Sequence, residues 1–502
     1  MSVKASLLAD LLLLRRAWAS HEPGAASMHG DLYALIKREI LAGTLTAGTQ
    51  LPPSRLLAHE LGVSRNTVVY AYEQLLAEGY ATAGTGRGTF VAEIAAALAQ
   101  QRARLSTEGA ASVTPALSQR GARLLERPGA SSVQWGAFVP GVPDVSLFPH
   151  PLWQRLLVRH WRRPLPEMLT YSSGGGHPAL RQALAQHLRI VRSVRCSPRQ
   201  IIITAGIHQA IDLVTRLLGD VGDLAWVEEP GYWGIRNVLV SNGLRVRPVP
   251  VDMQGMAPGK DLLMSRPPPR FIFTTPSHQY PLGTVMSLSR RLLLIDYARR
   301  AGCWLVEDDY DSEFRFEGRP LASLQGIDVD DRVIYMGTFS KTLFPGLRIG
   351  FLVLPLPLVE PAGTALSELF REGQVIQQAV LADFIQAGYY AAHIRRMRQI
   401  YGQRHALLRA AIERHLGPCW PVASHDAGLH LVLGLPDQAD DVAISDALRG
   451  QGITVRPLSR YYEDRAHARK GLLMGYACVD DALIDAGVKQ VAAVIGAQAR
   501  GI

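Results

Sequence analysis

Lys341 is the lone lysine between two apolar runs in VIYMGTFSKTLFPGLRIGFLVLP, residues 333–355. Both runs read as buried strands, and a buried ammonium is costly unless it is paired or converted to something else. A desolvated lysine is the residue of Schiff-base chemistry. A pyridoxal phosphate site needs more: an acid to hold the pyridinium proton, an aromatic face, and donors for the phosphate. VEDDYD ends a strand with Asp308 and Tyr310 two apart, which points both side chains one way. ITAGIHQA reads as strand, glycine turn and helix, so the backbone N–H groups of Gly206, Ile207 and His208 would meet a phosphate at the helix start. Arg348 supplies a fork suited to phosphate. Thr338 and Ser340 add hydroxyls, and Tyr232 in EEPGYWG adds a ring. Each signal alone is commonplace; their order along one domain carries the reading.

The elements that must position these residues begin at about Val133. QIIIT, LAWVEEP, RFIFTTP, CWLVEDD, VIYMGTF and GFLVLP are near-continuous apolar runs alternating with helical segments. That pattern predicts an α/β layered domain over 133–502, its strands covered on both faces. Residues 93–132 contain no aromatic residue and are rich in Ala, Gly, Ser, Gln and Arg. They read as a linker, helical near Ile94–Arg104, that would span roughly 130 Å fully extended.

Residues 28–92 are a separate module. Leu32, Leu35, Ile36 and Ile40 repeat at helical spacing. Ser54 is expected to cap a second helix ended by Gly62, and Ser64 a third, with Val68, Val69, Tyr72, Leu75 and Leu76 as its apolar stripe. YATAGTGRGTFVAE then gives two short strands. This is a winged helix-turn-helix. Ser54, Arg55, Ser64, Arg65, Asn66 and Thr67 lie at helix starts, where donors reach base edges and hydroxyls reach phosphates. Arg87 at the wing tip reaches backbone or minor groove. Five Lys/Arg (37, 38, 55, 65, 87) balance five Asp/Glu (31, 39, 60, 73, 78) here, so placement rather than net charge favours double-stranded DNA over a protein-contact module.

With 502 residues, 48% hydrophobic and a net charge of +9, the chain is long enough for at least two domains. Cys196, Cys303, Cys419 and Cys478 have neither metal nor CxxC spacing, which predicts no metal site and fits a reducing cytoplasm. LLADLLLLRR is short and has its arginines after the apolar stretch, so Leu7–Leu14 is expected as an amphipathic helix packed on the protein rather than a signal peptide. No run reaches the length of a membrane span.

LPPSRLLAHELGVSRNTVVYAYEQLLAEGY resembles the GntR class of bacterial regulators. YSSGGGHPALRQALA, EEPGYWG, TPSHQYPLG, VEDDYDSEFRF and SKTLFPGLRIGF resemble, in order, the fold-type I aminotransferases. The fusion is similar to the MocR/GabR-type regulators. That resemblance implies a pyridoxal phosphate cofactor bonded to Lys341, with Asp308 on the ring nitrogen, Tyr310 on the ring hydroxyl and Tyr232 stacked. It implies Arg348, Thr338, Ser340 and the 206–208 turn around the phosphate. It also implies a homodimer in which Tyr171 reaches the partner's site, and a small-molecule amine effector. Aminotransferases carry an arginine for the substrate carboxylate near the C-terminus; Leu473 in LLMGYA stands there, which predicts poor turnover of ordinary α-amino acids. An arginine just after PGY is replaced by Trp233 and Gly234, with Arg236 out of phase. Arg456 and Arg460 are either effector anion contacts or surface charges. Three readings stay open: a cofactor-dependent transcription factor with no more than residual half-transamination, which is favoured; a working aminotransferase with an appended DNA-binding module; and a DNA-binding protein with a dimerisation scaffold.

Overall fold

The computed structural model describes residues 3–20, 27–84, 87–93, 116–126, 129–172, 174–316, 321–371, 373–423 and 427–499. Two compact units divide the chain, Met1–Ala116 and Leu117–Ile502. In the first, helix α1 (Val3–Ala19) precedes α2 (Met28–Leu41), α3 (Ser54–Leu61) and α4 (Arg65–Ala77). Strands β1 (Ala81–Gly84) and β2 (Gly88–Val91) then pair antiparallel as the wing.

The helical periodicity of α2 buries Leu32, Leu35, Ile36 and Ile40 together, as expected. Leu11 and Leu14 of α1 join the same core, Leu14 with no exposed surface. That burial stabilises the unit by about 2 kcal/mol, and Arg15 adds an exposed pair to Glu60 at 3.3 Å. The apolar stripe of α4 buries Val68, Ala71, Tyr72 and Leu75, while Val69 and Leu76 are only half-buried.

Ser64 is the cap of α4, its Oγ accepting the Thr67 N–H at 3.1 Å. Ser54 is not a cap. The chain enters α3 from Pro53, extended at φ −53° and ψ 136°, and Ser54 is the first helical residue with no capping bond from its side chain. The Pro52–Pro53 pair fixes the entry angle, so the cap position falls one residue earlier than a hydroxyl-based reading expects.

The second unit is built on an eight-stranded sheet in the order β3-β10-β9-β8-β7-β4-β5-β6. Its strands are β3 (Ile201–Thr204), β4 (Leu224–Glu229), β5 (Arg245–Asp252), β6 (Gly255–Met256), β7 (Phe271–Thr274), β8 (Trp304–Asp309), β9 (Val333–Thr338) and β10 (Gly350–Val353). The central pairs, from β5 through β4, β7 and β8 to β9, are parallel; β10 runs antiparallel to both β3 and β9. The six apolar runs are all strands, buried along nearly their whole length. β5 and β6 complete one edge without such a run, because β5 exposes alternate residues.

A smaller sheet has the order β11 (Val422–Ala423), β12 (His430–Gly434), β14 (Gly471–Gly475), β13 (Arg456–Pro457). The expected linker contains helix α5 (Gln119–Glu126), which lies against another helix of the second unit. Ile94–Arg104, where a linker helix is expected, lies outside the described residues. Among the described residues, no helix is long and apolar enough to cross a membrane. No cluster of three or more His, Cys, Asp or Glu is placed among them to hold a metal.

Candidate cofactor site and nucleic-acid interface

Strand alternation sorts the acidic run at the end of β8. Glu307 and Asp309 face one side and are absorbed by structure. Glu307 accepts the backbone N–H groups of Leu324 and Gln325 at 3.0 and 3.1 Å. Asp309 pairs with buried Arg192 at 2.6 Å and accepts the Tyr335 hydroxyl at 2.5 Å. Asp308 faces the other way. It is buried, and its Oδ1 has no hydrogen-bond partner. Burial, reinforced by Asp309, Glu228 and Asp311, pushes its carboxyl up to about 8.

Lys341 follows β9 and is half-buried, its Nζ donating to the Gly141 carbonyl at 2.7 Å. Burial, with the Arg456 cation second, pulls the ammonium down to about 8; Asp311 and Asp308 oppose that shift. A sizeable neutral fraction is therefore available near neutrality.

Tyr310 is buried, its hydroxyl 2.9 Å from Nδ1 of His278. Asp311 lies 3.0 Å from the same nitrogen. In the tautomer that donates from Nδ1 of His278 to Asp311, the Tyr310 oxygen accepts from the same nitrogen. In that tautomer the Tyr310 O–H is free to donate, as a ring oxygen on a cofactor requires. His278 lies in TPSHQYPLG but has no role in the sequence reading; nothing in a lone buried histidine marks it as the holder of a tyrosine. The Gly141 carbonyl was equally illegible, because it reaches Lys341 across 200 residues.

Helix α6 (Ile207–Leu218) starts at Gly206, whose φ of 97° is in the left-handed region. A Cβ there would lie 3.3 Å from the Arg348 guanidinium. A Cβ on Gly350 would lie 2.9 Å from the Cα of Gly206. These two glycines let the α6 turn, β10 and Arg348 close into one cradle. Arg348 is itself left-handed at φ 52°, a conformation that costs an L residue about 1–2 kcal/mol. Gly206, Ile207 and His208 are at the helix start, where backbone N–H groups lack intrahelical acceptors. Thr338 closes β9 opposite Gly350 and its Oγ1 accepts the Ser340 N–H at 3.2 Å. The His208 ring is 2.8 Å from the Tyr232 hydroxyl, and it loses basicity to burial first and then to Arg348 and Lys341.

Tyr232 packs edge-on to Tyr280 at 5.8 Å and is raised by burial, with Asp308 contributing. Tyr171 is 72% exposed, the Arg371 guanidinium over its ring.

The two candidate effector arginines separate. Arg456 on β13 is directly across from Leu473 on β14, which places both side chains on one face of the smaller sheet. Position 473, which carries no cation, thus has one on its cross-strand neighbour. Nε of Arg456 is buried without a partner, and Tyr461 and Tyr280 flank the guanidinium. Arg460 is exposed but lines the same cavity of about 470 Å³, together with Trp233, Arg236 and Tyr232. Arg236 is held by Glu463 at 2.6 Å and is not a free anion contact.

The residues fit pyridoxal phosphate. Asp308 has a buried oxygen that lacks a partner, Lys341 is a desolvated amine, Tyr310 has an uncommitted proton in the His278 tautomer described, and the glycine cradle faces a guanidinium. The fold and this donor set imply that cofactor, which when bound supplies an aldehyde for amines and a protonated ring that withdraws electrons. In that fit Asp308 would hold the ring proton, Tyr232 and Tyr310 would orient the ring, and Lys341 would present the amine.

In the first unit, Arg65 and Asn66 are exposed at the start of α4, and Arg55 and Arg87 are exposed at the start of α3 and in the wing. Ser64 and Thr67 are bonded to each other, Oγ to Oγ1 at 2.8 Å, so both hydroxyls shape the helix start. The sequence reading missed Gln50, which fixes the wing by donating to the Arg87 carbonyl at 2.8 Å. It also missed the Tyr72 hydroxyl bond to the Pro52 carbonyl at 2.7 Å, which ties α4 to the turn before α3. These are a winged helix-turn-helix and a fold-type I α/β domain with a cofactor cradle.

Comparison with known proteins agrees. Residues 29–91 match the bacterial regulatory proteins of the gntR family, and residues 159–491 match aminotransferase class I and II. The chain is 42% identical to the probable rhizopine catabolism regulatory protein MocR of Rhizobium meliloti over 92% of this chain and 93% of that one. It is 32% identical to the HTH-type pyridoxine biosynthesis transcriptional regulator PdxR of Corynebacterium glutamicum, over 95% and 96%. A kynurenine aminotransferase of Pyrococcus horikoshii, solved with PMP, superposes with a TM-score of 0.69 at 26% identity, over 76% of this chain and 97% of that one. The chain belongs to the MocR-type transcriptional regulators, a GntR-family DNA-binding domain joined to an aminotransferase-like domain.

Proposed function

We propose that this protein is a pyridoxal phosphate-dependent transcriptional regulator whose second unit senses an amine, amino acid or vitamin B6 vitamer. The observation that carries the reading is the register of Arg456 with Leu473: a cation that lines the cavity and lowers the basicity of Lys341 lies across from position 473, where the sequence has no arginine. A bidentate arginine is the natural partner for an effector carboxylate, and Arg460 at the rim is the second contact. A cation at Arg456 and none at position 473 favours binding over rapid turnover.

Arg65 and Asn66 read base edges, Arg55 and Arg87 hold the DNA backbone, and Ser54, Ser64 and Thr67 border the phosphates. Lys341 carries the cofactor, with Arg348, Thr338, Ser340 and the 206–208 turn on its phosphate. The 72% exposure of Tyr171 supports a homodimer in which it reaches the partner's cofactor, and such a dimer takes two operator half-sites in the cytoplasm.

The test is a pair of measurements on purified protein. Visible absorbance that borohydride fixes onto Lys341 is expected, together with negligible steady-state transamination. A colourless protein that takes up no pyridoxal phosphate makes the second unit a scaffold; rapid turnover of amino acids makes the protein an enzyme.

A further inference from the structure

The end of the linker is built into the effector cavity. Glu126 of α5 and Gly129–Ser132 line it, as do Arg456 and Tyr461. α5 lies along helix α7 (Trp233–Ser241), which begins immediately after Tyr232. The contact is tight at one point. A Cβ on Gly129 would fall 2.2 Å from Cγ of Trp233, so the bare backbone of Gly129 rests on the indole. The same indole packs against the rings of Tyr232 at 5.2 Å and His208 at 5.7 Å. Its Nε1 is buried with no hydrogen-bond partner. One side chain thus touches the ring expected to stack on the cofactor, the first turn of the phosphate helix, and the segment that runs on toward the DNA-binding unit.

We propose that Gly129–Ser132 is a wall of the effector site and that Trp233 is the positioning residue through which an occupant acts on the linker. The inference rests on the cavity being the effector site. An amine held at the cofactor, with a tail long enough to reach the indole, would offer Nε1 an acceptor and shift the ring on which Gly129 lies. The linker then changes its docking because the two arrangements of Trp233 differ in contact with the occupant. No separate messenger surface is required.

The test uses the full chain, stripped of cofactor, and two probes that need no knowledge of the natural effector. Pyridoxamine phosphate fills the cofactor cradle alone. The phosphopyridoxyl adduct of 5-aminopentanoate adds to the same headgroup a five-carbon tail ending in a carboxylate, and Tyr232 is common to the cradle and the cavity lining. Hydrogen exchange is followed by mass spectrometry over residues 119–132. Both probes are expected to bind, and only the adduct is expected to change exchange there, by at least about fivefold, the lower end of allosteric coupling. Gly129→Ala, which cannot keep its seat on Trp233, is expected to exchange faster at the outset and, once saturated with the adduct at whatever concentration that takes, to show no further change. An adduct that binds without altering exchange in 119–132 overturns the inference, as does a Gly129→Ala variant that behaves like wild type. An adduct that fails to bind where pyridoxamine phosphate binds removes the cavity as an effector site, and this inference with it.

Discussion

Covalent capture of pyridoxal phosphate requires Lys341 as the neutral amine. Burial and the Arg456 cation bring its pKa down to about 8, against about 10.4 for an unperturbed lysine. The neutral fraction is then about 1% at pH 6, about 10% at pH 7 and about half at pH 8. The sign follows from the direction of the shift: raising pH deprotonates the lysine, so capture accelerates upward through pH 8. The rate is expected to rise roughly tenfold per unit below that midpoint and to level off above about pH 9. An ordinary lysine would still be climbing at pH 10. Arg456→Met removes a neighbouring cation, which makes the ammonium easier to hold and moves the midpoint upward. The assay mixes cofactor-free protein with pyridoxal phosphate, quenches with borohydride at intervals, and counts pyridoxyl-Lys341 by mass spectrometry. Rates are divided by those of butylamine, the latter first corrected to its own neutral fraction, which cancels the cofactor's ionisations and leaves that of Lys341. A wild-type profile that climbs unbroken to pH 10, or an Arg456→Met midpoint that moves down, would refute the argument that desolvation sets the reactivity of this lysine.

Asp308→Asn is expected to weaken pyridoxal phosphate binding about 10- to 100-fold, the range of a charged hydrogen bond of about 1.5–3 kcal/mol, measured by equilibrium dialysis; unchanged affinity would take Asp308 off the ring nitrogen. Arg65→Ala is expected to cost ~1–3 kcal/mol of specific operator binding, with log affinity falling with log salt in both proteins. Wild-type affinity and sequence preference in the mutant would remove Arg65 from the interface. Leu14→Ala is expected to destabilise the first unit by about 2–4 kcal/mol, read as an earlier first unfolding transition in the full chain with the second unmoved; an unmoved first transition would mean that α1 is not part of that core.

The local signals were legible because they rest on periodicity and chain order. The apolar spacing of α2 located its core, and Ser64 announced the cap of α4. The β8 and β9 runs located Asp308 and Lys341, because a charged residue at the end of an apolar strand is rare without a reason. What was not legible depends on pairing across distance. The opposition of Arg456 and Leu473 is a register of the smaller sheet, and no spacing along the chain encodes it. The sequence shows Leu473 where aminotransferases carry an arginine, and only the fold shows that Arg456 lies across from it. His278 and Gly141 were illegible for the same reason, since each gains its role only through a partner brought in by the fold. Ser54 misled because a hydroxyl before a helix signals a cap, and the double proline moved the helix start by one residue. Composition alone marked 119–132 as linker, because nothing in a glycine shows that an indole will lie on it.

The central claim is that Lys341 serves a transcriptional response rather than a metabolic one. The direct measurement is transcription in vitro from the protein's operator, across a panel of primary amines, with wild type and with Lys341→Ala. Lys341→Ala is expected to fold and to bind the operator with wild-type affinity, yet to give the same transcript level with every amine, while wild type responds to at least one. A Lys341→Ala protein that responds to that amine as fully as wild type would contradict the account and leave Lys341 as an anchor for the cofactor only.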